Sequence, residues 1–203
     1  MSEVDDAVVA LRAGRPVVLP FDTVYGLAAD PRTSGPVERL YRLKGRAPTQ
    51  PSALVAADLD VLLELVPELD GRSAAIARAL LPGALTLIFP NPARRFGWIA
   101  GGNPDAIGVR VPELSGPGGQ VLAQVGAVAA TSANRPGEPD PRTLEDVPDE
   151  IRAGAGAVVD GGRLPGEPST VVDLTGAEPR VVREGAVGSE EVLRRLGSAV
   201  RSS

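Results

Sequence analysis

A single α/β domain, built as a twisted mixed sheet with helices packed around it, is the fold class that this 203-residue chain predicts. Three observations carry that prediction. The length suits one domain, residues 1–203, with a sizeable core. Short apolar and β-branched runs intermix with amphipathic stretches, without the strict repeat of a βαβ protein. Gly (24) and Pro (20) are abundant but fall between those segments, which marks ordered loops rather than disorder.

Taken along the chain, Ser2–Ala13 reads as a helix with Val4, Ala7, Val8 and Leu11 on one face, and Gly14 ends it. Pro16–Leu19 is a short strand. Phe21–Ala28 is a polar turn running into a second strand. Thr33 or Ser34 caps the next helix, with Pro36 near its start and Val37, Leu40, Tyr41 and Leu43 on its apolar side. It exits at Lys44-Gly45. Ser52–Ala56 is a strand, followed by helices around 58–66 and 71–81 that Pro82-Gly83 stops. Ala84–Phe89 and Ala106–Val111 are strands separated by a loop, Asn91–Asp105. Gln120–Gln124 is helical, and Ala127–Thr131 is a buried strand that delivers Thr131-Ser-Ala-Asn134. A short helix near 148–153 precedes strands at Ala157–Asp160, Thr170–Leu174 and Arg180–Arg183. Gly161–Pro168 reads as a mobile lid. The last helix is capped by Ser189, with Glu190 and Glu191 in its first turn.

Composition removes whole classes of chemistry. There is no cysteine, hence no disulfide, thiolate nucleophile or Cys-based zinc site. There is no histidine, the commonest general base and metal ligand. Net charge is −5 and the isoelectric point about 4.9, whereas nucleic-acid-binding modules usually carry a basic excess. Direct RNA binding is therefore expected to be weak at most. No apolar run approaches the roughly 18–20 residues of a membrane span, and the acidic, amphipathic N-terminus is unlike a signal peptide, so a cytoplasmic protein is expected. Neither a phosphate-binding P-loop nor a G-x-G-x-x-G fingerprint occurs, and no acidic cluster has metal-ligand spacing.

Chemistry must rest on Lys, Arg, Ser, Thr, Asn, carboxylates and backbone amides. Four polar segments stand at the ends of apolar elements: Asp22-Thr-Val-Tyr25, Lys44-Gly-Arg46, Thr131-Ser-Ala-Asn134 and Ser169-Thr170. Arg110 and Arg183 sit at strand ends. Strand ends are where α/β sheets gather a site, and several cations among hydroxyls and an amide suit a phosphate and a carboxylate. Taken singly, each segment has a plain structural reading: a self-satisfied turn, a solvated charge, a helix C-cap. One compositional detail stands out. Of the 21 basic residues, Lys44 alone is a lysine, as though a compact ammonium were needed there and a planar fork would not serve.

In order, these segments resemble the YrdC family of threonylcarbamoyl-AMP synthases. The likeness rests on Leu19–Ala28, Tyr41–Arg46, Leu81–Ile88, Ile107–Pro112, Ala130–Asn134, Pro168–Leu174 and Val182–Gly185, and spans about residues 7–187. Ala47, Val55, Ala84, Pro136 and Asp140 depart from commoner family residues. The resemblance implies a YrdC-like fold with a deep concave cleft. It also implies formation of threonylcarbamoyl-AMP and pyrophosphate from L-threonine, bicarbonate and ATP, for tRNA modification by a downstream threonylcarbamoyl-transferase complex. It carries a catalytic set onto Lys44, Arg46, Ser132 and Asn134. It carries ATP contacts onto Arg46, Gln50, Ser132, Asp140 and Arg183, and threonine contacts onto Thr23, Arg110, Ala130 and Ser169. Mg2+ is expected to be held mainly through ATP, with no protein metal site. Three rivals make different predictions. A sugar-phosphate enzyme on a related fold would need acidic metal ligands, and the sequence shows no such cluster. An RNA-binding module would show salt-dependent RNA affinity without turnover. A hydrogenase-maturation carbamoyltransferase domain would come in a longer chain with Cys zinc sites.

Overall fold

The computed structural model describes residues 2–201. Its strands are β1 (Val17–Pro20), β2 (Tyr25–Ala29), β3 (Ala53–Ala56), β4 (Leu85–Pro90), β5 (Ala106–Arg110), β6 (Ala127–Ser132), β7 (Ala157–Val158), β8 (Thr170–Asp173) and β9 (Arg180–Arg183). Its helices are α1 (Glu3–Arg12), α2 (Ser34–Lys44), α3 (Leu59–Leu65), α4 (Gly71–Leu80), α5 (Pro117–Val125), α6 (Asp149–Gly154) and α7 (Ser189–Arg201). Among the described residues the strands make one mixed sheet, ordered β7-β1-β2-β6-β3-β5-β4-β8-β9. The expected α/β class is therefore what the chain adopts.

The two faces of the sheet are treated differently. Alternate residues of a strand point to opposite faces. Val18, Leu27, Leu54, Leu87, Val109 and Ala129 take one face and pack under α2, α3, α4, α6 and α7 through Leu40, Leu62, Leu80, Ile151 and Val192. Val17, Leu19, Ala28 and Val128 take the other and pack under α1 and α5 through Val8, Leu11, Val121 and Leu122. That second layer covers the β1-β2-β6 half of its face. Further across, the same face carries Ala53, Gly108, Thr86, Ile88 and Val171, and these line an open cavity.

Local signals explain most element ends. The Ser2 hydroxyl accepts the Asp5 N–H while the Asp5 carboxylate accepts the Ser2 N–H, a reciprocal cap that starts α1. Gly45, left-handed at φ 68°, ends α2 and turns the chain toward Arg46. Several expectations shift. Thr33, not Ser34, occupies the α2 cap position, and its side chain makes no cap bond. α5 starts at Pro117, earlier than expected, because a proline at the first position needs no N–H partner. β7 is only two residues long, since Asp160 is drawn away by the Tyr25 hydroxyl and the Gly162 N–H. Ser189 is the first residue of α7 rather than its cap, and its N–H is met by the Glu184 carboxylate.

The segment expected to be a mobile lid is tied down along its length. The Gly161 N–H donates to the Tyr25 hydroxyl (2.9 Å), the Leu164 N–H to the Arg142 carbonyl (2.8 Å) and the Gly166 N–H to the Thr23 carbonyl (2.8 Å). Tyr25, fully buried and beside Asp160, has its pKa pushed up to about 12, chiefly by desolvation, so it remains a neutral donor.

Two glycines on the cavity face give a direct test of the packing. A Cβ on Gly26 would collide with the Phe21 ring, whereas a Cβ on Gly108 would meet Thr86 Cγ2 at an ordinary 3.7 Å. Gly26→Ala is expected to lose about 1–3 kcal/mol by overpacking. Gly108→Ala is expected to keep or gain about 0.5–1 kcal/mol, because alanine loses less backbone entropy. Urea midpoints of the two variants decide it; equal losses would contradict the packing described.

Candidate active site

The cavity on the uncovered face has a volume of about 490 Å3. Register builds its floor. Directly paired residues share a face, so Val128, Val55 and Arg110 form one row, continued on the neighbouring strands by Thr86, Val171 and Arg183. The adjacent row runs Ala28, Ala130, Ala53 and then Gly108, Ile88, Asp173. Small side chains in the middle of that row leave the space. Polar groups stand around it: Arg46, Ser132 and Asp140, the Thr23–Arg110 pair, and Arg183 with Ser169.

The lone lysine closes one wall. Lys44, 3% exposed, ends α2 and drives its ammonium into the turn that follows β6. It donates to the Asn134 carbonyl (2.9 Å), to Asn134 Oδ1 (2.8 Å) and to the Ser132 carbonyl. Ser132 Oγ also donates to Asn134 Oδ1 (2.6 Å), and Asn134 Nδ2 donates to the Glu138 carbonyl (2.6 Å). Residues 90 apart in sequence are thereby locked into one cluster. Burial, reinforced by the Arg46 charge and resisted by Asp140, pulls the Lys44 pKa down to about 8. Of the predicted catalytic set, Ser132 and Arg46 line the cavity. Lys44 and Asn134 stand behind Ser132 and are not on the cavity wall.

Arg46 leaves α2 past the left-handed Gly45 and reaches Thr131 Oγ1 (3.2 Å) and the Pro51 carbonyl (2.6 Å). Its pKa is lowered by desolvation. Gln50, predicted to touch ATP, is exposed and does not line the cavity; only its carbonyl meets Arg46 Nε, at 3.4 Å. Asp140 does line it, as does Ala130.

At the other end Arg110, 9% exposed, ion-pairs with Asp22 and donates to Thr23 Oγ1 (2.9 Å). Its Nε is buried with no partner. Desolvation lowers its pKa, Asp22 raises it and Arg183 lowers it again. Arg183 donates to the Ser169 carbonyl (2.7 Å) and to Ser169 Oγ (3.2 Å), and Ser169 Oγ lies 2.9 Å from Thr86 Oγ1. Sequence reasoning had assigned no role to Asp22, Thr86, Thr131 or Ser52. Ser52 is a buried hydroxyl on the cavity with no partner. Asp22 and Thr131 have a usable signal, since each begins one of the polar segments that carry the site. Among the described residues no three acidic side chains converge as a metal site.

A nearly buried guanidinium that lines the cavity beside the Thr23 hydroxyl suits a carboxylate; cations beyond it suit a polyanion. The Sua5/yciO/yrdC family profile, described as telomere recombination, matches residues 9–185. The chain belongs to the Sua5/YciO/YrdC family. A curated Mycobacterium tuberculosis relative, provisionally named a threonylcarbamoyl-AMP synthase, is 36% identical over 194 residues, covering 94% of this chain and 88% of its own. A Pyrococcus abyssi family member named threonylcarbamoyl-AMP synthase is 31% identical over 188 residues, 92% of this chain and 55% of its own. The crystal structure of P. abyssi Sua5 complexed with L-threonine superposes with a TM-score of 0.87 at 30% identity, over 97% of this chain and 58% of that one. This chain thus spans just over half of the archaeal Sua5 and most of the mycobacterial relative.

The depressed lysine pKa has a measurable sign. The group titrates near its ordinary 10.5 when unfolded and near 8 when folded. Between those values the unfolded chain holds the proton that the folded chain has lost, so stability rises with pH there; below 8 the cost of the buried ammonium is fully present. The urea midpoint of the wild type relative to Lys44→Met is therefore expected to climb from pH 8 to 10.5. A flat difference would show that the ammonium keeps its proton.

Proposed function

We propose that this chain is an L-threonylcarbamoyladenylate synthase that makes threonylcarbamoyl-AMP and pyrophosphate from L-threonine, bicarbonate and ATP. One observation carries the reading: a single cavity holds the nearly buried Arg110 beside Thr23, with Ser169 also on its wall, and faces Arg46 and Ser132 across a floor of small residues. Amino acid and nucleotide can then lie against each other. The names of the mycobacterial and archaeal relatives, and the threonine bound in the archaeal Sua5 crystal, agree with it.

Bicarbonate gives up CO2, the threonine amine adds to it to give a carbamate, and the proton the amine loses leaves with the bicarbonate hydroxide as water. A carbamate oxygen attacks the α-phosphorus, the bond to the bridging oxygen breaks, and pyrophosphate leaves. Such a transfer needs positioning and charge neutralisation more than a protein base, as a chain without histidine or cysteine requires. Arg110 takes the threonine carboxylate, and Thr23 and Ser169 hold its remaining polar groups. Arg46 and Arg183 neutralise phosphates. Ser132 donates to the reacting oxygens. Lys44 keeps Ser132 in place and adds positive field from one layer behind. Mg2+ would be carried by ATP oxygens and water, since the cavity wall offers separate carboxylates, Asp140 and Asp173, and no cage. The product is an activated acyl phosphate fit to be passed, in the cytoplasm, to a complex that acylates tRNA.

Incubation with ATP, bicarbonate and each amino acid in turn should release pyrophosphate with threonine far above the others. Equal release with all amino acids, or none with threonine, overturns the assignment. Lys44→Ala should lower turnover about a hundredfold through misplacement of Ser132, since a shift of about 1 Å can cost on the order of a hundredfold, while remaining folded by circular dichroism. Lys44→Arg should fail similarly, because a planar fork cannot reach the three oxygens that surround the ammonium. Full activity in that variant would make the lone lysine an accident.

A further inference from the structure

Three guanidiniums face the cavity, and two anions of very different charge must be sorted among them. Arg46 and Arg183 meet only hydroxyl and carbonyl oxygens. Among the described residues, Arg110 is the one of the three with a carboxylate partner. Asp22 stands behind it, with the same small exposure as the arginine, 11% for each side chain, and off the cavity surface. The second Asp22 oxygen accepts the Glu113 N–H (3.1 Å), so the carboxylate is held from both sides and cannot swing away.

Resting on the reading above, we infer that Asp22 is a charge-selecting residue: it reserves Arg110 for a monoanionic carboxylate by cancelling the net charge that would otherwise draw phosphate to that end. The physics is local. A triphosphate or pyrophosphate is steered by summed charge, and the Asp22–Arg110 pair presents none. A carboxylate needs little net charge, because hydrogen-bond geometry does the recognising, and Arg110 lines the cavity with Nη2 as the nitrogen that Asp22 and Thr23 engage. Without Asp22, Arg110 and Arg183, already close enough to depress the Arg110 pKa, would form a cation pair suited to a phosphate. The amino-acid end would then be open to ATP and to the product pyrophosphate.

The test uses L-threonine and inorganic pyrophosphate as probes in calorimetric titrations. In the wild type, saturating pyrophosphate should leave the threonine Kd within about twofold, and in Asp22→Asn it should raise the apparent Kd by about tenfold or more. Asp22→Asn should also take up an extra equivalent of pyrophosphate, and Asp22→Asn/Arg110→Gln should lose that equivalent. A purely structural Asp22 would move none of these stoichiometries. If Asp22→Asn fails to fold, salt dependence in the wild type serves instead: threonine affinity should change by no more than about twofold where pyrophosphate affinity falls by about tenfold. Pyrophosphate that already displaces threonine from the wild type, an undisturbed Asp22→Asn, or equal salt slopes would overturn the inference alone. A wild type that binds no threonine would overturn the functional reading and this inference together.

Discussion

One sheet face that is only half covered governs this molecule. A strand buried on both sides can be apolar throughout, but a strand open on one side must alternate. β4 shows this: Leu85, Leu87 and Phe89 go to the core, and Thr86 and Ile88 face the cavity. Had α1 and α5 extended over β3, β5 and β4, the row of Ala130, Ala53 and Gly108 would be a packing defect. With those helices confined to the other half, the same small residues are what leaves space. The charges follow from that geometry. Arg110 and Arg183 lie on one cross-strand row, so a register slip of one residue would turn both to the helix-covered side.

Putting Arg110, Arg46 and Lys44 in such a hollow costs solvation, and each is compensated by a different device. Arg110 has a carboxylate behind it. Arg46 has a hydroxyl and carbonyls. Lys44 is the extreme case. Its three N–H groups all find oxygens of residues 132–134, and the cost still shows in a pKa pulled down to about 8. An ammonium is tetrahedral and small enough to sit inside a turn and meet three acceptors at once. A guanidinium of the same reach would present its donors in a plane.

Much of this was legible in the sequence, and the limits have physical causes. The α2 exit at Lys44-Gly45 was readable because a left-handed C-cap needs glycine. The site segments were readable because polar clusters ending apolar runs have few other uses, and eight of the eleven predicted site residues line the cavity. The exceptions are instructive. Lys44 and Asn134 sit one layer back, and Gln50 turns outward, because a chain position does not say which way a side chain leaves its loop. The Asp22–Arg110 and Thr86–Ser169 contacts join residues more than 80 apart, and nothing in either neighbourhood announces the other. The short β7 was hidden for a related reason: Asp160 continues a plausible strand pattern locally, but the hydroxyl that claims it comes from β2.

The strap at 161–168 shows how tightly such long-range ties join fold to site. Its Gly166 N–H is bonded to the carbonyl of Thr23, whose hydroxyl meets Arg110. Its start is fixed to Tyr25, two residues further along the same turn, and its middle to Arg142, just past Asp140. Lifting the strap would therefore disturb the cavity at Thr23 and at the 140–142 segment together. The chain has no cysteine bridge to hold these pieces, so backbone hydrogen bonds, the Arg142 side chain on the Pro165 carbonyl and one neutral tyrosine do it. Order in the strap and geometry in the cavity are consequently the same property, and a change that loosens one loosens the other.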